Sequence, residues 1–150
     1  MDNFFKGLTV IELSSVLAGP SVGMFFAELG ANVIKIENST IGGDVTRNWR
    51  NSIESLSDDE QISAYFASVN YGKTHVFLDL KDAKQKEQLT EYVKTADIIT
   101  TNLKLGDAEK LGLSYKYFRN LKKDIIQCQL FGFESDKSRP AFDAVLQAET

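Results

Sequence analysis

Gly19, Pro20 and Gly23 stand between a β-rich run and a helical pattern. N–H groups exposed at a helix N-terminus there would favour an anion, although a plain tight turn uses the same residue types. The Gly19-x-x-x-Gly23 spacing is not the G-x-G-x-x-G of dinucleotide sites. Glu37, where such folds keep a ribose-binding acid, therefore reads as a solvated strand end, and a nicotinamide enzyme is a weak alternative. Arg47, Trp49 and Arg50 combine groups suited to phosphate and to a base; the alternative is a surface loop that folds Trp49 against the body. Lys137 and Arg139 form a second basic pair, in a turn. The sole histidine, His75, alternates with Phe77 in a strand pattern without a Ser or Cys partner, and Cys128 sits mid-strand as a small core residue. Asp79, Asp97 and Asp143 are candidate carboxylates, but Asp gathers at element ends for local hydrogen bonds. No metal-ligand spacing is present.

These residues are set on a regular alternation of strands and helices. Strand patterns cover Thr9–Leu13, Asn32–Glu37, His75–Asp79, Asp97–Thr100 and Ile125–Phe131. Helical patterns cover 21–29, 62–70, 82–94, 108–111, the turns after Ser114, and 141–149. Residues 38–61 read as a long polar loop, a length that usually signals a lid or an insertion. The alternation predicts an α/β, Rossmann-like, doubly wound and mostly parallel sheet of about five strands with flanking helices.

The bulk numbers agree with one ordinary domain. The chain has 150 residues, 43% of them hydrophobic and 25% charged, with a net charge of −4. That balance suits a globule and argues against general nucleic-acid binding. No apolar run approaches the roughly 18 residues of a membrane span. A lone cysteine favours a reducing, cytoplasmic setting.

The collinear order of short segments carries more information than any one motif. Leu8-Thr-Val-Ile-Glu-Leu13, Val16-Leu-Ala-Gly-Pro20 and Leu29-Gly-Ala-Asn-Val-Ile-Lys-Ile-Glu37 resemble the opening of family III CoA-transferases. Gly42-Gly43-Asp44-x-Thr46-Arg47, Asn70-x-Gly-Lys73, Leu78-Asp-Leu80, Asn102-Leu-x-x-Gly106 and Glu109-Lys-Leu-Gly-Leu113 continue the likeness. So do Gly132-Phe133 and Arg139-Pro-x-Phe-Asp143-x-x-x-Gln147-Ala148. The family includes carnitine, formate and bile-acid CoA-transferases and the α-methylacyl-CoA racemases.

The resemblance implies that residues 1–150 are the N-terminal, coenzyme-A-binding part of a large domain, without the small domain and C-terminal return segment. It implies acyl-CoA and a carboxylic acid as substrates, no permanently bound cofactor, and interlocked homodimers in full-length members. Val16, Leu17 and Ala18 would line the acyl and thioester end, and Gly19 would belong to the CoA-binding residues. Asn38, Leu78, Asn102, Leu103, Lys110 and Leu111 would contact the adenosine and phosphates, with Lys137 and Arg139 near a further basic position. Asn38 stands where Arg or Pro is common, Leu103 replaces Phe, and Lys110 replaces Arg. Phe142 occupies the position of the racemases' catalytic His, which disfavours that branch. The implied mechanism is nucleophilic catalysis by an aspartate expected beyond Thr150. A truncated, inactive form is therefore the leading expectation, and a stand-alone CoA-binding or interaction module is the alternative.

Overall fold

The computed structural model describes residues 3–51, 62–104 and 106–149. Five strands form one sheet: β1 (Thr9–Leu13), β2 (Asn32–Asn38), β3 (Thr74–Leu78), β4 (Ile98–Thr101) and β5 (Ile126–Gln129). Their order is β3-β2-β1-β4-β5 and every pairing is parallel. The helices are α1 (Ala18–Glu28), α2 (Ala64–Asn70), α3 (Ala83–Thr95), α4 (Asp107–Lys110), α5 (Tyr115–Leu121) and α6 (Asp143–Glu149). The doubly wound parallel fold read from the alternation is thus the fold observed.

A sheet covered on both faces needs strands that are apolar on both sides, and β1 and β2 are buried along most of their length. On one face Ile11, Leu13, Ile34, Ile36, Leu78, Ile99 and Ile125 pack with Leu89, Val93, Leu113 and Phe118 of the α3 and α5 side. On the other, Val10, Ala31 and Val33 pack with Phe26 and Ala27 of α1. One step further along that second face the side chains are charged or polar: Glu12 pairs in register with Lys35 and Thr100, and Lys35 with His75. Burying such a row is unfavourable unless its members satisfy one another.

Local chemistry explains most helix starts. Asp82 accepts from Gln85 N–H at 2.9 Å to cap α3, Ser63 accepts from Phe66 N–H at 2.9 Å to cap α2, and Ser114 caps α5. α1 begins at Ala18, three residues before the expected Ser21, because Pro20 sits inside the first turn, where a missing N–H loses no bond.

Two sequence expectations need correction. Cys128 is exposed, not a core residue, because β5 is the sheet edge and α1 packs on β1, β2 and β4. The expected loop after Glu37 holds two 3-10 turns, Ser39–Ile41 and Val45–Asn48. Residues 52–61 of that loop lie outside the described residues. Among the described residues no helix is long and apolar enough to cross a membrane.

Candidate functional site

The strand order reverses between β1 and β4, and in open parallel sheets a crevice opens there at the carboxyl ends of the strands. Asn102, just after β4, closes this point. It accepts from Ser15 N–H at 3.1 Å and donates to Ser15 O at 2.8 Å, tying the two loops together. Beside it lies a cavity of about 380 Å³. Leu13, Ile36, Leu78, Leu80, Leu103 and Leu111 give it apolar walls, and Asn38, Asp79, Lys81 and Asn102 supply polar groups. A flat heteroaromatic group suits such walls, and an anionic tail suits Lys81.

Of the residues singled out in the sequence, Asn38, Leu78, Asn102, Leu103 and Leu111 come together in this cavity. Asn38 also accepts from Thr40 N–H and Oγ1 and so braces the loop above it. Lys110 is brought elsewhere: its exposed ammonium pairs with Asp107 at 3.0 Å. Lys137 stacks over Phe131, and Arg139 over Phe133 while paired with Glu149; neither lines the cavity. Lys81, not singled out in the sequence, is the one cation in the lining among the described residues. Its place three residues after Leu78, at the end of β3, was the available signal.

Val16, Leu17, Ala18 and Gly19 form the turn from β1 into α1. Leu17 and Ala18 are exposed, while Gly19 is buried. A Cβ at Gly19 would run into the Ser14 side chain, so the glycine lets the first turn of α1 lie directly on the end of β1. Ser14 Oγ is buried there without a hydrogen-bond partner. Val16 has φ = 72°, the left-handed conformation otherwise taken by glycines among the described residues. A β-branched residue adopts it at a cost of about 1–3 kcal/mol, and only where its surroundings over-determine it.

Those surroundings are ionic. Asp44 accepts from Val16 N–H at 3.1 and 3.3 Å, from Thr46 N–H at 3.1 Å and from Thr46 Oγ1 at 2.8 Å. Lys35 Nζ lies 3.1 Å from the same carboxylate and donates to Glu12 and to Ser14 O, both at 2.8 Å. Lys73 Nζ completes the group, donating to Glu12 at 2.7 Å, Pro20 O at 2.8 Å and Asn70 at 3.0 Å. Two ammonium groups thus meet two carboxylates with their remaining hydrogen bonds made, which lets the cluster stay buried. Burial lowers Lys73 below the usual lysine range, and the Glu12 charge opposes that shift.

Glu37 is a correction to the reading of a solvated strand end. It is 3% exposed, and Arg47 forks onto both its oxygens at 2.7 and 2.6 Å, with His75 Nδ1 at 2.8 Å and Asp44 N–H at 2.8 Å. Burial pushes its carboxyl up, but these partners outweigh burial and hold it at about 2. Arg47 is therefore committed to Glu37, and Trp49 lies against Tyr65 with ring centres 5.2 Å apart. Neither the ribose role for Glu37 nor the phosphate role for Arg47 suits this pairing. Asp97 is likewise occupied, accepting from Thr9 N–H at 2.9 Å. Among the described residues no group of His, Cys, Asp and Glu is arranged to hold a metal ion.

Comparison with known proteins bears on the family and the fold. The sequence profile of CoA-transferase family III matches residues 5–150. A succinate–glutarate CoA-transferase of Agrobacterium fabrum is 41% identical over 129 residues, covering 85% of this chain and 32% of that protein. A succinyl-CoA:mesaconate CoA-transferase of Haloarcula hispanica is 35% identical, covering 94% of this chain and 37% of its own length. The crystal structure of a CAIB/BAIF family protein from Brucella suis superposes with a TM-score of 0.88 at 33% identity, over 99% of this chain and 39% of that one. The chain thus spans about a third of the length of the curated relatives it matches.

Proposed function

The chain belongs to CoA-transferase family III, and from that premise we propose that it is the coenzyme-A-binding part of an enzyme moving CoA between an acyl-CoA and a carboxylic acid. The observation that carries the reading is the apolar crevice at the β1/β4 switch point, with Asn102 at its closure and Lys81 at its wall. On this reading the adenine ring lies between Leu13, Ile36, Leu78 and Leu111. Lys81 meets a phosphate, and the turn from Val16 to Gly19 faces the thioester end. That turn offers α1 first-turn N–H groups that have no partner within the helix, a setting that favours developing negative charge on an oxygen.

The transfer proposed is stepwise. An aspartate carboxylate attacks the thioester carbonyl and expels CoA thiolate, leaving a mixed anhydride. The thiolate then attacks the aspartyl carbonyl, releasing the donor acid and leaving an aspartyl-CoA thioester. The acceptor carboxylate repeats the sequence in reverse. Glu12, Glu37 and Asp44 are buried in ion pairs and so are not the attacking group; by the family resemblance the nucleophile is placed outside these 150 residues, in a full-length homodimer.

Calorimetric titration of the chain with CoA tests the reading. Binding should be weakened roughly tenfold by Lys81→Ala, the effect of losing one phosphate contact. Absence of CoA binding, or tighter binding of NADH than of CoA, would overturn it. Thioester exchange catalysed by the chain alone would overturn the placement of the nucleophile.

A further inference from the structure

We propose that Asp44 is a positioning residue. It holds Val16 in the left-handed conformation and thereby fixes the direction in which Leu17, Ala18 and Gly19 present the first turn of α1 to a ligand. The proposal rests on the CoA reading for the identity of that ligand, but the linkage itself stands on geometry.

Val16 is the only non-glycine residue with positive φ among the described residues, and it carries a β-branched side chain. Its N–H is the one group of the β1–α1 turn that reaches Asp44, bonding to both carboxylate oxygens at 3.3 and 3.1 Å. Asp44 cannot swing away to release it. Thr46 N–H and Oγ1 fix one carboxylate oxygen, Lys35 holds the other, and the side chain is 1% exposed. Asp44 N–H is fixed in turn by Glu37 at 2.8 Å. Lys35 reaches the same turn by a second route, donating to Ser14 O at 2.8 Å. A rigid anion thus grips the turn at the residue whose backbone is least willing to stay there.

The residue that follows carries the consequence. Leu17, at φ −130° and ψ −65°, opens α1 without a side-chain cap, so the helix direction is inherited from Val16. If Val16 relaxed to an ordinary negative φ, Leu17 and Ala18, both exposed at present, would point elsewhere. The sequence marks this arrangement only by a Val before the first turn and an Asp 28 residues later. A cap for the Val45–Asn48 turn is the simpler role for Asp44, and that role requires nothing of Val16.

A double-mutant cycle separates the two, because glycine takes positive φ at no steric cost. Asp44→Asn should weaken CoA binding about tenfold in the native background and clearly less in a Val16→Gly background. Equal loss in both backgrounds would overturn the proposal and leave Asp44 a cap. Should Asp44→Asn fail to fold, hydrogen exchange of the unmodified chain decides. The Val16 amide should be protected before CoA is added, and an amide exchanging at the unprotected rate would overturn the linkage. A protected Val16 amide in a chain that shows no CoA binding would sink the CoA reading alone. In that case the same cycle, read by urea denaturation, must still show coupling between Asp44 and Val16.

Discussion

Glu37 lies 3% exposed with the Arg47 guanidinium on both its oxygens, and its carboxyl is held at about 2 against an ordinary 4.5. A carboxylate depressed by folding stabilises the native state fully above the unfolded value and ceases to do so as pH falls through the folded one. The window is therefore about pH 4.5 down to about 2. That depression corresponds to on the order of 3 kcal/mol. Urea denaturation of the native chain and of Glu37→Gln should show a large gap in stability at pH 6 that narrows steadily below pH 4.5. A gap that stays constant down to pH 3 would mean that the Arg47 fork does not set the Glu37 carboxyl. Nothing near Glu37 in the chain announces this pairing. Arg47 is ten residues away, His75 is 38, and both meet Glu37 only because the loop folds back over β2 and β3 lies alongside.

Gly23 sits in the middle of α1, where glycine normally weakens a helix by about 1 kcal/mol relative to alanine. Two opposed effects therefore meet at this position. A Cβ at Gly23 would collide with the Glu12 carboxylate and stand 3.1 Å from Lys73 Nζ. Glu12 and Lys73 are buried and tied to Lys35, Pro20 O and Asn70, so neither can give way cheaply. Overpacking should win, and Gly23→Ala is expected to lower stability by about 2 kcal/mol despite its better helix propensity. A denaturation midpoint that rises would show that the cluster yields. At this scale the sequence was a good guide wherever one rule acted alone. The strands β1 and β2 and the caps Asp82 and Ser114 follow from apolar runs and from a side chain three residues before its N–H. It failed where partners are distant. Glu12 interrupts an apolar strand pattern, and nothing beside it in the chain shows that it is fully buried against Lys73, 61 residues away. The crevice shows the same division. Leu78, Leu103, Leu111 and Asn102, singled out through the family likeness, line it, whereas Lys110 pairs with Asp107 and Arg139 with Glu149, partners that sequence order cannot rank.

Across the whole molecule the two faces of the sheet are not covered equally. The layer formed by α3 and α5 reaches Ile125, the residue that leads into β5, which is 2% exposed in one cluster with Phe118. The opposite layer stops at β4, and the next residue, Ile126, is 61% exposed, with Cys128 bare beside it. Alternation along an edge strand thus puts two adjacent isoleucines in opposite environments. Their substitution should separate them sharply. Ile125→Ala removes packed methyl groups and is expected to cost about 2–5 kcal/mol. Ile126→Ala removes surface that water already reaches and should stay within about 0.5 kcal/mol. Cys128 provides an independent readout of the same uncovered face, because an exposed thiol reacts with a soluble disulfide reagent without denaturant. Slow native labelling together with a large cost at Ile126 would show that a second layer covers β5 in solution. Fast labelling with a small cost would establish the one-sided cover at this edge.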